Sequence, residues 1–132
     1  VYIEVGSTVP ATVIGDRDQL IMACLNLIEN AVKYSPENTR VAVTSAISDG
    51  IVEIAVTDQG IGIPESDLNR IFERFYRVDP ARSRETGGTG LGLSIVKHVA
   101  QNHGGDVKVW SKVGVGSTFT IMLPKSDERI SE

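Results

Sequence analysis

The sequence predicts an α+β two-layer sandwich, in which a mixed, mostly antiparallel sheet of five strands is packed on one face by three helices. Three observations lead there. Five short runs are rich in β-branched and apolar residues, three longer stretches carry helical periodicity, and glycine-centred turns fold neighbouring strands into at least two hairpins.

Residues 1–5 (Val-Tyr-Ile-Glu-Val) form the first run. Asp16 is placed to cap a helix from Arg17 to about Tyr34, and Ser35-Pro36 stops it, because proline disfavours helical geometry in the residue before it. Val41 to Ile47 and Ile51 to Thr57 read as strands joined by a turn at Asp49-Gly50. Gly60-Ile61-Gly62-Ile63-Pro64 is a loop, and Pro64 suits the first turn of a helix through about Phe75. From Tyr76 to Thr89 the text is polar and aperiodic, the mark of a loop. Helical spacing returns from Leu91 to His103 and is stopped by Gly104-Gly105. Val107 to Lys112 and Ser117 to Leu123 make a hairpin around Gly114 and Gly116, and residues 125–132 read as a solvated tail, leaving one domain over residues 1–124.

Composition narrows the function. The chain has 132 residues, 41% hydrophobic and 23% charged, which is an ordinary globular balance. Seventeen acidic residues outnumber thirteen basic ones, for a net charge of -4, which argues against nucleic acid as a partner. One cysteine cannot make an internal disulfide or a cysteine metal cluster. No apolar run is long enough to cross a bilayer and no signal peptide is evident, so a reduced, cytoplasmic module with no direct membrane contact of its own is expected. The chain begins at Val1 rather than Met, as a piece of a longer protein would.

The first helix carries an unusual polar stripe. At ~100° per residue, Glu29, Lys33, Asn26 and Asn30 share a narrow arc with Tyr34 at its edge. Leu20, Ile21, Cys24, Leu25, Leu27, Ile28, Ala31 and Val32 fill the opposite arc, which is expected to face the core, with Cys24 a small core residue. Solvated helix faces are usually built from Glu, Lys and Gln. Asparagine costs about half a kcal/mol relative to alanine inside a helix, and here it recurs one turn apart. A pair of amide oxygens beside an ammonium suits a metal–phosphate group, although a plain solvated face fits the stripe equally well.

Asp58 ends the second hairpin strand with the parity of Val52, Ile54 and Val56, so it points where buried side chains point. An unpartnered carboxylate there is costly, and no arginine lies nearby in sequence. Either it starts the turn at Gly60, or it floors a pocket and accepts from a ligand such as the exocyclic amine of adenine. Guanine presents an oxygen at that position and would be repelled. Gly60 and Gly62 would let the backbone approach a flat ring. Gly87-Gly88-Thr89-Gly90-Leu91-Gly92-Leu93 opens the third helix and fits either a hinge or a phosphate cradle.

Taken in order, these segments resemble the ATP-binding catalytic domain of bacterial sensor histidine kinases, within the superfamily shared with gyrase, the Hsp90 chaperones and MutL. The matching text is Asn26-Leu27-Ile28-Glu29-Asn30-Ala31-Val32-Lys33-Tyr34, Asp58-Gln59-Gly60-Ile61-Gly62, Phe72-Glu73-Arg74-Phe75-Tyr76-Arg77, Gly88-Thr89-Gly90-Leu91-Gly92-Leu93, and the ending Gly114-Val115-Gly116-Ser117-Thr118-Phe119. The resemblance covers nearly all of residues 1–124 and implies the Bergerat-type ATP-binding fold.

It also implies roles. Asn30 would hold Mg²⁺, with Asn26 supporting the metal–phosphate site and Lys33 meeting phosphate oxygens. Tyr34 would lie against adenine, Asp58 would accept from its amine, and Gly60 and Gly62 would shape the slot. Thr118 would back Asp58 through a water. Tyr76 would border the nucleotide, and Arg77 would stabilise charge on the terminal phosphate during transfer. Gly88, Thr89, Gly90, Leu91, Gly92 and Leu93 would enclose the phosphates, under a lid over about 76–89. Asn26 stands where the gyrase branch has a water-activating glutamate, so hydrolysis should be slow and the phosphoryl group left for a histidine elsewhere. His98 and His103 lack the acidic follower of the acceptor histidine; His103 is expected instead to favour the negative end of its helix. The implied partners are the kinase's own dimerisation and phosphoacceptor domain and a cognate response regulator. This domain alone would be monomeric, and the full kinase a homodimer anchored in a membrane. Two alternatives remain: a nucleotide-binding interaction module without transfer, and an anti-sigma-type serine kinase of the same superfamily.

Overall fold

The computed structural model describes residues 2–6, 13–73 and 92–125. Its sheet has five strands in the order β1 (Tyr2–Val5), β2 (Arg40–Ser48), β3 (Ile51–Asp58), β5 (Gly116–Pro124) and β4 (Asp106–Lys112). β1 pairs parallel to β2, and every other neighbouring pair is antiparallel. Asp49, in the left-handed region at φ 51°, and Gly50, at φ 75°, close the β2–β3 hairpin.

Helix α1 (Arg17–Lys33) begins where expected. The Asp16 carboxylate accepts from the Gln19 N–H at 3.1 Å, satisfying one of the helix's unpaired donors. Helix α2 (Gly92–Asn102) ends at Gly104-Gly105, where the Gly105 N–H donates back to the Ala100 carbonyl at 2.9 Å. α1 lies over β2 and β3, α2 over β4 and β5, and the two helices pack along each other. The core between the layers joins Ala23, Leu27 and Ala31 of α1, Val96, Val99 and Ala100 of α2, and Val41, Val56, Phe119, Ile121 and Leu123 of the sheet.

Two details depart from expectation. The segment after Pro64 is not a regular helix as far as Glu73, the last residue described there. Pro64 precedes a 3₁₀ turn (Glu65–Asp67), after which hydrogen bonds of both three- and four-residue reach return to Asp67. Asp67 and Asn69 offer the backbone competing local hydrogen bonds, which weakens an α-helix there. The segment is still anchored: Ile71 is buried, and the half-buried Phe72 meets Phe119 edge-to-face at 6.1 Å with the Lys97 ammonium 5.3 Å from its ring centre. Second, the buried line of α1 is narrower than its apolar arc. Ile21 is 43% and Leu25 50% exposed, because the helix seats on Ala23, Leu27 and Ala31 and this rotates the buried centre toward the asparagine side. Among the described residues no helix is long and apolar enough to cross a membrane.

Candidate functional site

Asp58 is 7% exposed at the end of β3. Its partners are backbone groups rather than a cation: Oδ1 accepts from the Gly60 N–H at 2.9 Å and the Ser117 N–H at 3.2 Å. Burial pushes the carboxyl above the usual carboxylate range, against the opposing pull of those two N–H donors. Oδ2 takes no hydrogen bond from the described residues, so the carboxylate keeps one acceptor for something else.

The loop after Asp58 is pressed against two neighbours. A β-carbon on Gly60 would lie 2.6 Å from the Tyr34 carbonyl oxygen, so only glycine lets the loop meet the C-terminal end of α1 this closely. On the other side the Gly114 N–H donates to the Ile61 carbonyl at 2.9 Å, and the Ile63 N–H donates to Ser111 Oγ at 2.7 Å, tying the loop to the β4–β5 hairpin. Gly62 abuts the Lys112 carbonyl in the same way. Tyr34 caps the end of α1, half-buried.

The two helices run antiparallel. His103, just past the end of α2, accepts the Asp16 N–H at the start of α1 through Nε2 at 2.9 Å. Eleven residues of α2 at ~1.5 Å each then carry its N-terminus back beside the middle of α1, near Leu27. On that spacing Gly92 and Leu93 fall level with Leu27, which lies between Asn26 and Asn30 along α1. Both asparagines are half-buried, whereas Glu29 and Lys33 on the same stripe are exposed. Leu93 itself packs against the core.

One expectation is corrected. Thr118 pairs in register with Thr57, not with Asp58, and the two threonine hydroxyls are 3.0 Å apart on the sheet face away from the helices. Successive residues of a strand alternate faces, so the residue beside Asp58 is Ser117, which sequence reasoning missed. Its parity with buried Phe119 was the signal that could have found it. His103 stands where expected, just past the end of α2: its Nδ1 lies 2.7 Å from the Val99 carbonyl, and its Nε2 accepts from the Asp16 N–H at 2.9 Å, so the ring also bridges the two helices. Cys24 is a half-buried thiol whose pKa burial pushes up, in keeping with a packing role. The candidate residues Tyr76, Arg77, Gly88, Thr89, Gly90 and Leu91, with the lid stretch 76–89, lie outside the described residues.

A buried acceptor at a strand end, a glycine loop pressed against a helix terminus, and two helices packed along each other over one sheet suit a nucleotide-binding α+β domain. The model of the histidine kinase-, DNA gyrase B- and HSP90-like ATPases matches residues 15–127, and the chain belongs to that family, as an ATP-binding catalytic domain. It is 55% identical over 124 residues, 89% of this chain and 32% of the relative, to the sensor-like histidine kinase SenX3 of Mycolicibacterium smegmatis. It is 46% identical over 116 residues, 86% of this chain and 19% of the relative, to the sensor histidine kinase WalK of Bacillus subtilis. Among solved structures, the mycobacterial sensor histidine kinase MprB superposes with TM-score 0.81 at 39% identity, covering 94% of this chain and 83% of that one. Full-length ShkA in complex with AMPPNP superposes with TM-score 0.79 at 31% identity, covering 98% of this chain and 27% of that one. The chain thus spans about a third or less of the curated relatives it matches.

Proposed function

We propose that this chain is the catalytic part of a sensor histidine kinase: it binds MgATP and delivers the γ-phosphoryl group to a histidine on a separate helical hairpin, for relay to a response regulator. The observation that carries this reading is Asn26, half-buried on α1 at the position where the hydrolysing branch of the superfamily has its base. An amide cannot take a proton from water, so the terminal phosphate is kept for another nucleophile. In transfer the bond from the γ-phosphorus to the β,γ-bridging oxygen breaks, a phosphorus–nitrogen bond forms on the imidazole, and ADP leaves.

Asp58 Oδ2 accepts from the exocyclic amine of adenine, with Gly60, Gly62 and Tyr34 around the ring. Asn26, Asn30 and Lys33 face the phosphates, together with Gly88, Thr89, Gly90, Leu91 and Gly92 at the start of α2; Leu93 packs beneath. Tyr76 and Arg77 serve the phosphate end under a lid over about 76–89, within a domain of residues 1–124 followed by a tail at 125–132. The donor set fits Mg²⁺. Among the described residues no three His, Cys, Asp or Glu side chains gather as a metal cage, and neutral amide oxygens leave a hard cation room for water and phosphate oxygens. Asn30 would hold the ion, which would supply neutralisation of the phosphate charge. The domain lies in the cytoplasm as part of a membrane-anchored homodimer and is monomeric alone.

The test mixes this chain with [γ-³²P]ATP and a histidine-bearing hairpin from a related kinase. The expected product is an acid-labile, base-stable phosphohistidine, lost more in Arg77→Ala than ATP affinity is. An acid-stable phosphoserine on another partner would mark the serine-kinase alternative. Binding with no transfer, while a related catalytic domain transfers, would mark the interaction module.

A further inference from the structure

Ser111, on β4, touches three groups of the site at once. The Ile63 N–H donates to its Oγ at 2.7 Å, its hydroxyl donates to the Gly116 carbonyl at 3.0 Å, and its Oγ lies 2.8 Å from Ser117 Oγ. A serine hydroxyl carries one proton and two lone pairs. The Ile63 N–H can only donate and the Gly116 carbonyl can only accept, so the Ser111 proton goes to Gly116 and one lone pair goes to Ile63. The arrangement that keeps all three contacts has the remaining lone pair accepting from Ser117, so that Ser117 donates its proton to Ser111.

In that arrangement the polarity of Ser117 is set. It is 5% exposed, stands opposite Asp58 in register, and donates its backbone N–H to Asp58 Oδ1. With its hydroxyl proton committed, Ser117 offers only lone pairs to the space beside the carboxylate. Asp58 Oδ2 is an acceptor as well, so that end of the slot presents acceptors alone.

We infer that Ser111 is a positioning residue for base selection: by accepting the Ser117 proton it holds Ser117 as an acceptor, so the slot takes a base edge that donates, as adenine's amine does, and refuses one that presents a carbonyl, as guanine does. This deepens the adenine-slot reading and rests on it. A buried acceptor facing a ligand carbonyl leaves two oxygens without a proton between them, which is the arrangement that discriminates most strongly. In Ser111→Ala the Ser117 hydroxyl is released and can turn its proton outward, so the guanine carbonyl gains a donor.

The test titrates the whole 132-residue chain with Mg²⁺-ATP and Mg²⁺-GTP analogues by calorimetry. Wild type should prefer the adenine analogue, Ser111→Ala should narrow that preference about tenfold, chiefly by gaining guanine affinity, and Ser111→Thr, which keeps the hydroxyl, should restore it. Combining Ser111→Ala with Ser117→Ala should add nothing to the base preference of Ser117→Ala alone, because the first acts through the second. An equal loss for both nucleotides in Ser111→Ala would make Ser111 only a loop staple and overturn the inference. So would an unchanged preference, or additive effects in the double variant. If Ser111→Ala does not fold, Ser111→Thr and Ser117→Ala still decide: a preference in Ser117→Ala equal to wild type removes Ser117 polarity from selection. Failure of the wild type to bind either analogue would instead strike the adenine-slot reading itself.

Discussion

The Tyr34 carbonyl oxygen at the end of α1 and Gly60 in the loop after β3 are so close that a β-carbon on Gly60 would stand 2.6 Å from it. The same β-carbon would stand 3.0 Å from Asp58 Oδ1. One glycine therefore joins the helix that bears the asparagines to the strand that bears the buried carboxylate.

Gly60→Ala should separate these two elements. The overlap is with backbone, which cannot swing aside as a flexible side-chain tip can, so the loop or the helix end must move. An overpacking cost of about 1–3 kcal/mol is expected, with a greater proportional loss of nucleotide affinity. Gly116→Ala should cost more still, since its φ is 142° and a β-carbon there would lie 2.1 Å from the Asp58 carbonyl oxygen. Thermal unfolding with and without ATP checks both. A Gly60→Ala protein as stable as wild type and equal in ATP affinity would show that the close approach does not matter.

Much of this fold was legible because the local signals agree. Asp16, Ser35-Pro36, Asp49-Gly50 and Gly104-Gly105 each punctuate an element where the structure places the boundary. The site was legible only as types: Asp58 at a buried parity, glycines beside it, two asparagines a turn apart. What escaped depended on partners distant in the chain. The assignment of Thr118 failed because the β3–β5 register, which decides which of two adjacent residues flanks Asp58, links positions 59 residues apart. The bridge that His103 makes to α1 depends on an N–H 87 residues away. The exposure of Ile21 and Leu25 reflects the seating of α1 on Ala23, Leu27 and Ala31, a rotation that helical periodicity does not encode.

Asp58→Asn should weaken ATP binding while leaving the fold intact. An asparagine oxygen can still take the Gly60 and Ser117 N–H groups, but its amide presents protons where Oδ2 accepted, so donor meets donor. A loss of about 1–3 kcal/mol in binding is expected. Because burial raises the wild-type carboxyl, the folded state keeps its proton to higher pH than the unfolded chain does. This group's contribution to stability therefore declines as pH climbs from the ordinary carboxylate range through the raised value, then levels. ATP affinity moves the other way: it needs the ionised acceptor and should fall as pH drops through the raised value, before an ordinary carboxylate would titrate. Melting curves and ATP titrations across mildly acidic pH, wild type against Asp58→Asn, check both slopes. Parallel curves would remove Asp58 from the base contact.

Cys24 should be chemically quiet. Burial raises its thiol pKa, so little thiolate is present near neutral pH, and the side chain is packed against the core. A thiol reagent should modify the native protein slowly and the unfolded protein rapidly, with ATP having no effect on the native rate. Fast native modification blocked by ATP would place Cys24 in the site.

Asn26→Ala and Asn30→Ala should separate stability from function in opposite directions. Both asparagines lie inside α1, where alanine is favoured by about half a kcal/mol, so each variant should melt slightly higher than wild type if packing is unchanged. A purely solvated polar stripe predicts that gain and nothing else. If the two amides face the metal–phosphate group, Asn30→Ala should also lose about tenfold in ATP affinity with Mg²⁺ present and far less when the metal is chelated, since the lost oxygen is a ligand of the ion. Asn26→Ala should show the same metal-linked loss to a smaller degree. Calorimetric titration with ATP in Mg²⁺ and in EDTA, beside melting curves of the unliganded proteins, gives all the quantities. Higher melting with unchanged Mg²⁺-dependent affinity in both variants would return the stripe to solvent.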